Sequence, residues 1–241
     1  EHAYPGCRVL VAHQGAIIWD KSYGYHTYEE KRPVDESSIY DLASITKIVA
    51  STAAIMKLEE QKMVDMDYSL CDYVNIPDTA SHYQINLREM MSHYARLKSW
   101  IPFYLNTLEK GQLRKDLYRT QPIPGYCTQV AEGLYICDSY VDSMHTAILK
   151  SDLIKDQHYN YSDLGYYYLQ QLVYNVTGRP LQEYVQDTFY SPLGLKTMGY
   201  LPLEKFELDQ IVPTEFDMLF RGQLIHGHVH DPGAAMLGGV G

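Results

Sequence analysis

The sequence predicts a mixed α/β fold, with an antiparallel sheet and helices, on three observations. Two short β-rich runs, Cys7 to Ala12 and Ala16 to Lys21, are separated by His13-Gln14-Gly15, the length and chemistry of a hairpin. From Asp41 to Met63, apolar residues fall at Ile45, Ile48, Val49, Thr52, Ile55, Met56 and Leu58, a spacing near that of an α-helix. A second strong helical run covers Leu164 to Val176, after which Gly178 and Pro180 punctuate the chain before Leu181 to Phe189.

The hairpin comes first, and two strands alone are marginal in water, so it needs further strands. The first helix follows a turn at Arg32-Pro33-Val34. Its weak polar face and its small residues Ala50, Ala53 and Ala54 predict a central helix buried on most sides. Asn86 is placed to cap a short helix from Leu87 to Ser92. Residues 98–151 lack periodicity and carry Gly, Pro and Cys interruptions. They read as a long insertion or lid, whose plainer version is a variable surface excursion. Ser191-Pro192-Leu193-Gly194-Leu195 closes the helical stretch after Leu181.

Composition excludes several classes. A formal charge of −10 argues against a partner held by nucleic-acid phosphates. No apolar run approaches the ~20 residues of a membrane span. The cysteines Cys7, Cys71, Cys127 and Cys137 form no C-x-x-C pair, which argues against a cysteine zinc site. Cys127 and Cys137 can pair in an oxidising compartment. The run His226-Gly227-His228-Val229-His230-Asp231 admits a metal reading, but no carboxylate or Cys at recognisable spacing supports it, and a histidine-rich loop bordering a cleft fits better. No metal or cofactor is therefore expected. The start at Glu1-His2-Ala3 reads as mature, processed or trimmed.

The chemistry concentrates at Ser44-Ile45-Thr46-Lys47. Residues three apart on a helix share a face, which brings the Lys47 amine within reach of the Ser44 hydroxyl. A serine needs a neighbouring base or polarising charge to act as a nucleophile. Burial would lower the pKa of Lys47 towards working pH, and a first-turn Ser44 would turn an unpaired backbone N–H towards an incoming carbonyl oxygen. S-x-x-K alone far more often describes a capping Ser and a solvated Lys. The apolar run Ile48 to Met56 directly after Lys47 favours the catalytic reading.

Several collinear segments resemble the serine β-lactamase and penicillin-binding-protein superfamily, on its class C and esterase-like branch. They are the hairpin through Gly24-Tyr25, Tyr40 to Lys47, Leu87 to His93, Tyr161 to Tyr166, Thr177-Gly178-Arg179-Pro180-Leu181, and Ser191 to Leu195. The resemblance implies an antiparallel sheet flanked by helices plus a helical lobe, in one domain spanning residues 1–241. It also implies a serine hydrolase acting through an acyl-enzyme on a β-lactam, a D-amino-acid cell-wall peptide or a simple ester, in an exported bacterial protein of the periplasm or cell envelope. Ser44 resembles the nucleophile and Lys47 its helical partner. Tyr161 resembles the tyrosine of Y-x-N, which shares proton transfer with the lysine.

Asp163 stands at the substrate-binding position where that motif has Asn; an ionised Asp only accepts hydrogen bonds, which can shift substrate preference or raise the Lys47 pKa. His93-Tyr94-Ala95-Arg96-Leu97 replaces the usual H-T-S-G-L. The third motif, K-T-G or H-x-G, has no good match, and the run Asp231 to Gly239 resembles a branch whose chain continues further. The domain is thus expected to lack its C-terminal strands and helix, and in that branch such domains can sit behind a glycoside hydrolase module. The alternative is a non-catalytic binding module that keeps the fold.

Overall fold

A computed structural model describes residues 3–238; expectations attached to the ends, at Glu1-His2 and Gly239 to Gly241, lie outside the described residues. The chain opens with β1 (Gly6–His13) and β2 (Ala16–Gly24), paired antiparallel with a register shift between Val11 and Ala12. Gln14 and Gly15 both have positive φ (48° and 80°), the backbone of a two-residue primed turn whose twist suits the flanking strands.

The first helical region is three joined pieces: a 3-10 turn at Ala43–Ile45, a π-helical stretch at Lys47–Thr52 and α1 (Ala53–Glu60). α2 (Leu87–Met91) is capped as expected, the Asn86 side chain accepting from the N–H groups of Arg88 and Glu89. Segment 98–151 is more regular than its sequence suggested. It contains β3 (Leu108–Glu109) paired with β4 (Gln112–Leu113), then β5 (Tyr118–Arg119), β6 (Thr128–Ala131) and β7 (Leu134–Ile136) in a small sheet ordered β5-β7-β6. α3 (Tyr140–Leu149) follows. Strands of two to four residues are too short to show a period of two, which is why pattern reading missed them. Val130, Ala131, Ile136, Met144 and Ile148 belong to the main hydrophobic core, so this part of the chain is packed rather than a loose excursion.

α4 (Leu164–Thr177) ends at Gly178, whose φ of 71° closes the helix in the left-handed conformation. Pro180 opens α5 (Leu181–Val185), which runs into a π-helical turn at Gln186–Tyr190. The short pair β8 (Phe216–Asp217) and β9 (Gln223–Leu224) precedes α6 (Pro232–Leu237), capped by Asp231. No described helix is long and apolar enough to cross a membrane.

The central helix departs from expectation. Its buried stripe is Lys47, Ala50, Ser51, Ala54, Ile55 and Leu58. Ile48 and Met56 lie off that stripe and are 67% and 63% exposed. Helical spacing was read correctly, but the stripe facing the core combines small residues and one lysine with Ile55 and Leu58, while Ile45, Ile48 and Met56 face outward. Val9, Leu10, Val11, Ile17, Ile18 and Trp19 of the hairpin are exposed as well.

One polar contact fixes the packing of the last third against the middle. His82 is fully buried, its Nε2–H donating to the Ser151 carbonyl (2.9 Å) and its Nδ1 accepting from the Tyr168 hydroxyl (2.9 Å). Ser151 offers a carbonyl, which only accepts, so this neutral tautomer is required. Burial holds His82 below the usual histidine range, as it does His26, His145 and His228. The folded state therefore prefers neutral rings, while the unfolded chain takes up protons near the ordinary value of 6.5. Stability from these rings is complete above that value and falls as pH drops towards the lowered folded values. Thermal melts should lose midpoint steadily from pH 7 to pH 5, and His82→Asn should flatten that slope. An unchanged slope would show that His82 is not a source of the acid sensitivity.

Candidate active site

The nucleophile candidate sits on a strained turn. Ala43, immediately before Ser44, has φ of +44°, a left-handed conformation that costs a residue with a Cβ about 1–2 kcal/mol. Asp41 holds the turn: its Oδ1 accepts from the Ala43 N–H (2.8 Å) and its Oδ2 from the His230 N–H (3.0 Å). His230 is in turn fixed through its carbonyl by Arg221 Nη2 (2.6 Å), and Arg221 is paired with Asp217 at 2.7 Å in the interior. Residues far along the chain thus set the entry to the 3-10 turn that carries Ser44. As a first-turn residue, Ser44 has no intrahelical acceptor for its own N–H.

Lys47 is 4% exposed, and its Nζ donates to Ser44 Oγ at 3.0 Å and pairs with Asp163 Oδ1 at 2.7 Å. The Tyr161 ring centroid lies 5.4 Å from Nζ and that of Tyr166 5.8 Å. Ser44, Lys47, Tyr161 and Asp163, the four residues singled out from sequence, are therefore neighbours around one ammonium group. Ser44 and Asp163 accept two of its three N–H donors.

The electrostatics correct one expectation. Burial does push the Lys47 pKa down, but the hydrogen bond and charge of Asp163, helped by Tyr161, outweigh it and leave the pKa above the usual lysine value. Lys47 is held as a cation. Asp163 can do this because it lies at the start of α4 with no capping bond from its carboxylate to the helix backbone. Ser162 does that work instead, its Oγ accepting from the Leu164 N–H (3.1 Å) and donating to the Lys98 carbonyl (2.7 Å).

Two contributors were not singled out as functional from the sequence. Asp41 is one; an acidic residue in a loop carries no signature of the turn it stabilises. The other is His93, whose ring lies 4.5 Å from that of Tyr161, centroid to centroid. The histidine run near the end does not form a metal cluster among the described residues. His226 Nε2 contacts the Ile211 carbonyl at 2.6 Å and His230 Nδ1 lies 3.1 Å from Glu215. The cysteines are all free thiols, Cys127 and Cys137 included. A narrow crevice beside Asp163 is lined by Trp100, Phe103, Tyr167 and Asp231.

The family model described as Beta-lactamase matches residues 1–210. A Bacillus subtilis protein named N-acetylmuramyl-L-alanine amidase is 29% identical over 226 residues, covering 88% of this chain and 46% of the relative. An Escherichia coli K12 protein named "Putative D-alanyl-D-alanine carboxypeptidase" is 28% identical over 260 residues, covering 98% of this chain and 55% of the relative. The chain thus spans about half the length of these curated relatives. Among solved structures, the octameric penicillin-binding protein homologue from Pyrococcus abyssi superposes with a TM-score of 0.64 at 21% identity, covering 92% of this chain and 46% of that one. A class C beta lactamase gives 0.62 at 17% identity, covering 97% of this chain and 55% of that one. These structures share the fold, a mixed α/β arrangement of helices and antiparallel sheets. With its family model matching most of the sequence, the chain belongs to the beta-lactamase family, within the serine β-lactamase and penicillin-binding-protein superfamily.

Proposed function

We infer that the protein is a serine hydrolase in which Ser44 attacks an amide or ester carbonyl and is acylated, water then releasing the product. The observation that carries this reading is the Lys47 ammonium, buried and shared between Ser44 Oγ and Asp163. A buried charge hydrogen-bonded to a serine hydroxyl is costly, and here it aims a donor at the Ser44 oxygen. With its N–H groups directed at acceptors, Lys47 donates to Ser44 and polarises it rather than taking its proton. Tyr161, 41% exposed with its ring 5.4 Å from the same ammonium, is the group left to receive that proton, reacting as its phenolate. On collapse of the tetrahedral species, the proton returns through Tyr161 to the leaving group.

The names of the relatives point to peptides of the bacterial cell wall as the substrate class, and hence to an exported protein. β-Lactams and simple esters are the other classes the same chemistry accepts. The uncovered apolar faces of β1, β2 and the Ile48–Met56 side of the central helix support a further proposal, that additional β-structure packs there. A dye such as ANS should accordingly bind the 241-residue chain.

A fluorophosphonate or fluorescent penicillin should label the protein at Ser44, and Ser44→Ala should remove the label. That substitution should cost about 1–3 kcal/mol of stability, because it removes an acceptor of the buried Lys47 ammonium while leaving the fold in place. Parental hydrolysis by Ser44→Ala would end this reading. Asp163→Asn removes the charge that raises the Lys47 pKa while keeping an acceptor. Lys47 should then lose its proton at lower pH, and the alkaline limb of the acylation profile should move towards neutrality. An unmoved limb would show that Lys47 does not govern it.

A further inference from the structure

His93 brackets Tyr161 on both sides. Its carbonyl accepts from the Asn160 N–H at 2.9 Å, and its Nδ1 accepts from the Ser162 N–H at 3.1 Å. The two amides flanking Tyr161 therefore both end on one residue. The imidazole also lies against Tyr161, with Tyr159 and Tyr166 at 5.8 and 5.6 Å between centroids. His93 itself has φ of +62°, a conformation that Asn tolerates and bulkier residues resist. Accepting at Nδ1 requires the neutral tautomer with its proton on Nε2. A proton on Nδ1 would set two donors facing each other.

We propose that His93 is the positioning residue for Tyr161: its neutral imidazole fixes the Tyr161-Ser162 main chain and ring in the acylating geometry, and its protonation releases them. The proposal rests on Tyr161 acting in proton transfer, as read above. The groups facing the ring are Tyr159, Tyr161 and Tyr166 in contact, with Lys47 and Asp163 beyond them. Burial, followed by the Lys47 charge, holds His93 below the usual histidine range, with Asp163 working weakly the other way. The neutral form is thus favoured at neutral pH, and the release occurs on acidification.

The experiment is the rate of fluorophosphonate labelling at Ser44 between pH 5 and pH 9, in the parent and in His93→Asn, His93→Phe and His93→Leu, with a thermal melt of each. Asn offers Oδ1 in place of Nδ1, accepts the left-handed backbone and does not titrate. His93→Asn should keep at least about a tenth of the parental rate at pH 8 and lose the acid limb that His93 imposes. His93→Phe keeps the ring and loses the acceptor, and with His93→Leu it should fall about 10²-fold at every pH, the lower range for a displaced general base. An acid limb unchanged in His93→Asn, or parental labelling by His93→Leu, overturns the proposal while leaving Ser44 chemistry intact. If His93→Leu does not fold, the pH profile of His93→Asn decides alone. A folded parent that no probe labels at any pH overturns both readings.

Discussion

A buried ammonium is the constraint to which the neighbouring structure answers. Taken from water without partners, such a charge costs several kcal/mol, and removing one member of a buried pair costs about 3–5 kcal/mol. Lys47 must therefore be met by acceptors, and these come from segments far apart in sequence: Ser44 on its own helix, and Asp163 at the mouth of α4, beside the Tyr161 ring. The Asp163 carboxylate also lies at the positive end of that helix, where a negative charge is welcome. One ion pair thus joins the first helical region to the fourth helix and at the same time aims a donor at Ser44. The π-helical turns at Lys47–Thr52 widen the helix soon after Ser44, the kind of local irregularity that recurs at functional sites.

Holding Ser44 in front of that charge requires a second support. The left-handed Ala43 would relax if the turn were free, and strain of this kind persists only where the surroundings over-determine it. Here the surroundings are a relay of charge-assisted bonds, from Asp217 to Arg221, to the His230 main chain, to Asp41, to the Ala43 N–H. Arg221 has no exposed side-chain surface, so the far end of the relay is anchored in the interior rather than in a mobile loop. The late segment that sequence reading treated as a histidine-rich border to the cleft does its work mainly through backbone atoms.

That division explains what could be read from sequence. The hairpin, the first helical run, α4, the Asn86 cap and the Gly178 stop were legible because each rests on local backbone chemistry, whereas α3 and α6 were not read. Ser44, Lys47, Tyr161 and Asp163 were legible because helical spacing and motif order place them. The relay through Asp41 and the two amides bound by His93 were not, since they join residues tens of positions apart through main-chain groups, which leave no residue-type signature. The burial of the central helix was misread for a related reason. Small residues such as Ala50 and Ala54 give little periodic signal, while Ile48 and Met56 give much, yet the former pack and the latter are exposed. Apolar spacing reports a face, not which partner covers it.

The Asp163 position shows how one side chain can redistribute a mechanism without moving it. An amide there would donate as well as accept, and would add no negative charge beside Lys47. A carboxylate instead opposes the desolvation that would otherwise free the lysine to act as a base, and keeps it a cation. In the proposed mechanism, proton acceptance is then left to Tyr161, whose ring lies 5.4 Å from that cation. That proposal places a demand on Tyr161 geometry, because a single phenolic oxygen would have to reach Ser44. A main chain pinned on both sides of Tyr161, by one uncharged ring and its own carbonyl, meets that demand without placing another charge in the cleft.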